Sequence, residues 1–193
     1  MNATFSSAPA LAQVHPSPGL VLAAPGGAVD PDAAQTLAQL LQVRLLPPCG
    51  ADADPDGCLA GLDQAPAGWL LPLVPDPAAE LAAGGCWAER LAAWRQPLLL
   101  LLPAELAEAG PARVFSAWLQ QERVPLLGLV QLGGPWLPER RRRDGLAWLG
   151  WLPQGDAAPG SDADEALMAL RLQLINRWSL SGARAAAPAH PVA

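Results

Sequence analysis

The sequence predicts an α/β fold, a three-layer, doubly wound sandwich around a mostly parallel sheet. Two observations carry that expectation. Short apolar runs alternate with helical patterns along most of the chain, as βα units require. Two of those runs, Leu98–Leu102 and Val124–Val130, are almost continuously apolar, which suits strands covered on both faces. With 193 residues, 51% hydrophobic and 16% charged, the chain can bury one sizeable core.

The elements follow in order. Residues 1–18 are rich in Ala, Ser and Pro without a period and read as a flexible arm. Gly19–Ala23 reads as a first strand. The loop Ala24-Pro-Gly-Gly-Ala-Val29 leads to Asp30-Pro31, an N-cap followed by proline at the first helical position. Ala33, Leu37, Leu40 and Leu41 share one face of that helix. Val43–Leu46 is a short second strand. Pro47–Gln64 is turn-rich, with a helical turn near its end. Trp69–Val74 reads as a strand that Pro72 places at its end or at a sheet edge. Trp87, Leu91 and Trp94 make Cys86–Trp94 a short amphipathic helix. Leu98–Leu102 is a buried strand, and Glu105–Ala109 a helical turn. Pro111 opens a helix with Val114, Phe115, Trp118 and Leu119 inward. Val124–Gln131 is the next strand, adjacent and parallel to Leu98–Leu102 with that helix as crossover. Leu146–Leu152 is the last strand. A final helix starts near Asp162 or Asp164, buries Leu167, Leu170, Leu174 and Trp178, and stops at Gly182. The domain is thus residues 19–182, followed by a flexible tail over 183–193.

Composition excludes more chemistry than it suggests. All 12 basic residues are Arg, so no P-loop lysine or Schiff-base lysine exists, and Tyr is absent too. A net charge of −6 argues against a nucleic-acid partner. The longest apolar runs fall far short of the ~20 residues that span a bilayer, and the first residues lack the basic start of a secretory signal. The expected setting is the cytoplasm. A Cys49–Cys58 disulfide would close a Pro/Asp/Gly loop, but free thiols in a reducing cytoplasm are the better reading of Cys49, Cys58 and Cys86. His15 and His190 lie in the two tails, which argues against zinc and against a Ser/His/Asp triad.

Three groups of residues are candidate sites. Gly26, Gly27 and Asp30 occupy the loop where a phosphate cradle would sit. Pro25 and Pro31 remove backbone donors there and Asp30 repels phosphate, so a plain strand-to-helix turn is the favoured reading. Arg140, Arg141, Arg142 and Arg143 are the one basic cluster. They read as an anion site or, more in keeping with the usual fate of charge runs, as a solvated loop between Glu139 and Asp144. Asp52, Asp54, Asp56 and Asp63 faintly follow a calcium-loop order, but Pro55 and the missing terminal Glu favour a solvated acidic loop. Of the eight Trp, Trp69, Trp87, Trp94, Trp118, Trp148, Trp151 and Trp178 read as core or interface; Trp136, between two prolines, reads as functional.

The stretch Gln64–Asp76, with Trp69-Leu-Leu-Pro-Leu-Val74 at its centre, resembles a segment of the dethiobiotin synthetase family. The similarity continues through Trp87–Leu102, then Pro111–Val130, then Leu149-Gly-Trp-Leu-Pro153, covering roughly residues 64–180 in order and spacing. The resemblance implies a P-loop-NTPase-like fold, ATP and magnesium as cofactors, dimers, and ligase chemistry in biotin synthesis. This chain departs from it where the chemistry lies. The Walker A region, Pro25–Asp32, has no Lys. The acidic metal ligand's position falls on Gln64, with Asp63 as its offset substitute, and the adenine-reading position falls near Leu132. The expectation is therefore a non-catalytic domain of that family, without cofactor or metal, that binds a protein or small molecule and forms homodimers. The alternatives are a diverged ATP-dependent ligase of biotin or related cofactor synthesis, and a structural subunit of a soluble complex.

Overall fold

The computed structural model describes residues 19–50, 52–63, 65–82, 84–154 and 161–185. The arm 1–18, Gln64, both histidines and residues 186–193 of the tail lie outside them. Six strands form one sheet: β1 (Gly19–Ala23), β2 (Arg44–Leu45), β3 (Trp69–Pro72), β4 (Leu98–Pro103), β5 (Leu126–Leu132) and β6 (Trp148–Leu152). All neighbours pair in parallel, in the order β2-β3-β1-β4-β5-β6. The helices are α1 (Pro31–Leu41), α2 (Pro55–Asp63), α3 (Trp87–Ala93), α4 (Ala109–Gln121), α5 (Pro138–Arg143) and α6 (Ser161–Ala185). The structure is thus a three-layer α/β sandwich, and β4 and β5 are adjacent with α4 between them in sequence.

The winding follows from how strand side chains alternate. Leu20 and Leu22 of β1 face one core with Ala33, Leu37 and Leu41 of α1 and Leu170, Leu174 and Trp178 of α6. Val21 and Ala23 face the other core, with Leu59 of α2, Trp87 and Leu91 of α3, and Ala112 and Leu119 of α4. The chain leaves β1 over the first face toward the β2 edge and returns over the second. The strand order therefore reverses at β1, and its carboxyl end opens the crevice where doubly wound folds hold ligands. Gly19 is required at the start of β1 because the Trp69 ring fills the place of its Cβ.

Four local expectations are corrected. Pro47–Gln64 contains a nine-residue helix, not one turn, because Asp54 caps it: its carboxylate accepts from the backbone N–H groups of Asp56 and Gly57 at 3.2 and 3.0 Å. Asp54-Pro55 thus repeats the Asp30-Pro31 start, masked in the sequence by Gly57 and Gly61. Arg140–Arg143 are helical, not a loop, with Pro138 at the first turn of α5. α6 continues through Gly182 to Ala185, so residues 183–185 belong to the helix. Pro72 ends β3, the first of the two places expected for it, and the strand lies inside the sheet between β2 and β1. Trp94 is exposed, and its indole N–H donates to Asp56 at 2.8 Å, joining α3 to α2. Among the described residues, no helix is long and apolar enough to cross a membrane.

Candidate functional site

The crevice beside β1 is built by the loop Ala24–Asp30 and by the segment that follows β3. Pro25 and Gly26, with φ of 81° at Gly26, turn the chain so that Ala24 and Gly27 pair across a tight bridge. This is the geometry of a type II turn, in which proline and then glycine are the favoured central residues. The turn explains Gly26 without a ligand. Val29 N–H donates to the Leu73 carbonyl at 3.1 Å and anchors the loop to the exit of β3.

That exit delivers Asp76. Its carboxylate accepts from the Gly26 N–H at 2.5 Å and from the Ala78 N–H at 2.8 Å. An exposed backbone donor of the loop is therefore satisfied by a carboxylate of the chain itself. Asp30 caps α1 by accepting from the Asp32 N–H at 3.0 Å, and its other oxygen accepts from the Gln154 side chain. Gly26, Gly27 and Asp30 are thus brought to one end of the sheet, with two carboxylates in place of the positive charge a phosphate would need. Asp63 is the last residue of α2. Leu132 is buried, and its side chain offers no hydrogen-bonding group to a base.

The arginine run behaves differently from a solvated cluster. Arg140 pairs with Glu108 and Arg142 with Glu139. Arg141 is 5% exposed. Its Nε and Nη2 donate to the Gln131 side-chain oxygen at 3.1 and 2.7 Å, and its Nη1 donates to the Ala107 carbonyl at 2.6 Å. The guanidinium lies 4.7 Å over the Trp148 ring and 3.8 Å from Asp144, which in turn accepts from the Trp148 indole N–H. The Gln131 amide nitrogen donates to the carbonyls of Gly133 and Pro135. One buried guanidinium thereby ties β5, β6, α5 and the loop before α4. Three of the four arginines are engaged within the chain; the run is helical and Arg141 is buried, which corrects the expectation of a loop solvated throughout, while Arg140, Arg142 and Arg143 stay exposed. Gln131, the partner that makes Arg141 buriable, carried no signal in the sequence beyond being a polar residue ending an apolar strand.

Beside this knot, a cavity of about 390 Å³ opens between α5, β6 and α6. Trp136, Trp148 and Trp151 line it, with Gln173 of α6 on the far side. Trp136 meets Trp148 edge to face, ring centres 6.3 Å apart, and the Trp151 indole N–H donates to the Gly133 carbonyl at 3.0 Å. Among the described residues, no group of three or more His, Cys, Asp or Glu side chains could hold a metal ion; the acidic stretch around Asp54 caps α2 instead. No protein-family model matches the chain, and no curated protein matches it.

Proposed function

We propose that this chain is a binding domain without nucleotide chemistry, built on the frame of the dethiobiotin-synthetase-like family it resembles. One observation carries the reading: the Asp76 carboxylate holds the Gly26 N–H in the loop after β1, in a chain that has no lysine. A triphosphate there meets a carboxylate. At 4 Å that repulsion is on the order of 4 kcal/mol per charge pair near a protein surface. The amino terminus of α1 offers about 1 kcal/mol in return. The missing Lys removes a further charge-assisted contact of about 1.5–3 kcal/mol. The cavity edged by Trp136, Trp148 and Trp151 is the place a small apolar molecule or a partner side chain would enter.

The ligase reading keeps one support, the central position of β1 with its glycine-bearing loop and α1 directly behind. Titration calorimetry with magnesium-ATP separates the two. We expect a dissociation constant no better than millimolar. A low-micromolar value overturns the binding-domain reading and makes Gly26, Gly27 and Asp63 the first residues to substitute.

A further inference from the structure

We propose that Cys49 and Cys58 form a reactive dithiol that closes reversibly to a disulfide when it meets a low-molecular-weight disulfide such as oxidised glutathione. The geometry rests on two rigid supports. Cys49 follows β2 and is fixed to the exit of β3: its N–H donates to the Pro72 carbonyl and its own carbonyl accepts from the Val74 N–H, both at 2.9 Å. Cys58 lies in the first turn of α2, whose start is held by the Asp54 cap. These supports leave the two sulfurs 3.4 Å apart, both as free thiols. A covalent bond at ~2 Å asks each side chain for only a small rotation.

The two thiols are unequal, and the inequality sets the order of events. Cys49 is 8% exposed. Burial first, and the contact with Cys58 second, push its pKa up to about 12. Cys58 is only half-buried, so of the pair it is the one more open to an external reagent. Its thiolate attacks one sulfur of the small disulfide, forming a mixed disulfide and releasing one small thiolate. Cys49 then gives up its proton to solvent or to that thiolate. Its sulfur attacks the Cys58 sulfur, and the second small thiolate leaves. Two protein thiols are oxidised to one disulfide while one small disulfide is reduced to two thiols. Closure ties α2 to the strand exit that carries Asp76, so the dithiol touches the wall of the crevice beside β1. Cys86, at the start of α3, is a third thiol outside the pair.

The test uses the full chain and its Cys86→Ser variant, with thiol titration and intact mass read before and after exposure to oxidised glutathione. We expect the Cys49–Cys58 pair to close in the parent chain, so that titratable thiols fall from three to one, or to none where half-buried Cys86 takes up one glutathione, which the intact mass separates. In Cys86→Ser they should fall to zero, with a mass loss of about 2 Da and full recovery in dithiothreitol. Cys58→Ser should leave Cys49 unmodified. Three results overturn the proposal: Cys86→Ser retains both thiols, stops at a stable glutathione adduct, or forms disulfide-linked dimers. If Cys86→Ser does not fold, the parent chain's thiol count and mass decide alone.

Discussion

The two ends of the sheet's carboxyl rim make opposite use of charge. Beside β1, the carboxylates of Asp30 and Asp76 sit at the exposed turn and satisfy backbone N–H groups. At the β6 end, the Arg141 guanidinium is withdrawn from water and satisfied by a carboxamide, a carbonyl and an indole face. The first arrangement joins Asp76 to Gly26 across 50 positions and Asp30 to Gln154 across 124, and leaves the charges wet. The second joins residues 10 and 34 positions away and leaves the charge dry. A wet charge can be removed at small cost to the fold. A dry one cannot, because its partners stay behind without it.

The largest expected effect therefore belongs to Arg141. Arg141→Ala strands the Gln131 oxygen and the buried Asp144 carboxylate, and should destabilise the protein by about 3–5 kcal/mol in urea unfolding. Arg141→Lys keeps the charge and loses the fork that reaches Gln131 twice, so most of that loss should remain. If Arg141→Ala unfolds within about 1 kcal/mol of the parent chain, the contrast between a dry and a wet end is wrong.

Asp76→Ala comes next. It frees the N–H groups of Gly26 and Ala78, both of which water can reach, and should cost about 1–2 kcal/mol. Asp76→Asn keeps an acceptor and should cost less than half as much. Neither variant should gain tight magnesium-ATP binding, since the missing lysine is not restored. Micromolar binding by Asp76→Asn would show that one carboxylate alone had closed the site.

The difference between the two ends also explains what could be read from the sequence. Periodicity is local, so all six strands and most helix starts are legible from neighbouring residues, and the parallel pairing of β4 with β5 follows from their unbroken apolar runs. β2 is shorter than the apolar run suggests, Arg44–Leu45, although the Leu46 N–H still donates to the Leu70 carbonyl of β3 at 2.9 Å. α2 was missed because its two glycines obscured the Asp-Pro start, and its apolar face is narrow. The turn at Gly26 was legible as a turn because Pro-Gly encodes it locally. Asp76 as its partner was not, since 50 residues separate them. Four consecutive arginines look alike in sequence. Only the end of β5, with Gln131 facing in, makes one of them a core residue.

The smallest effect is the sharpest control on that point. Arg142 follows Arg141 in the same helix, and its side chain is 72% exposed. It pairs with Glu139 one turn earlier, and Glu139 is 74% exposed. Such a pair gains little Coulomb energy in water and spends side-chain entropy to hold its geometry. Arg142→Ala should shift the unfolding free energy by no more than about 0.5 kcal/mol, and high salt should abolish even that. Alanine also has the better helix propensity, which offsets part of the lost pair. The two substitutions remove the same side chain from adjacent positions of one short helix, so propensity and net charge change equally in both. What remains in the difference between them, some 3 kcal/mol or more, is the cost of leaving Gln131 and Asp144 buried without their cation. Equal effects at the two positions would mean that the knot around Arg141 opens to water in solution, and that the four arginines are the uniform solvated run their sequence suggests.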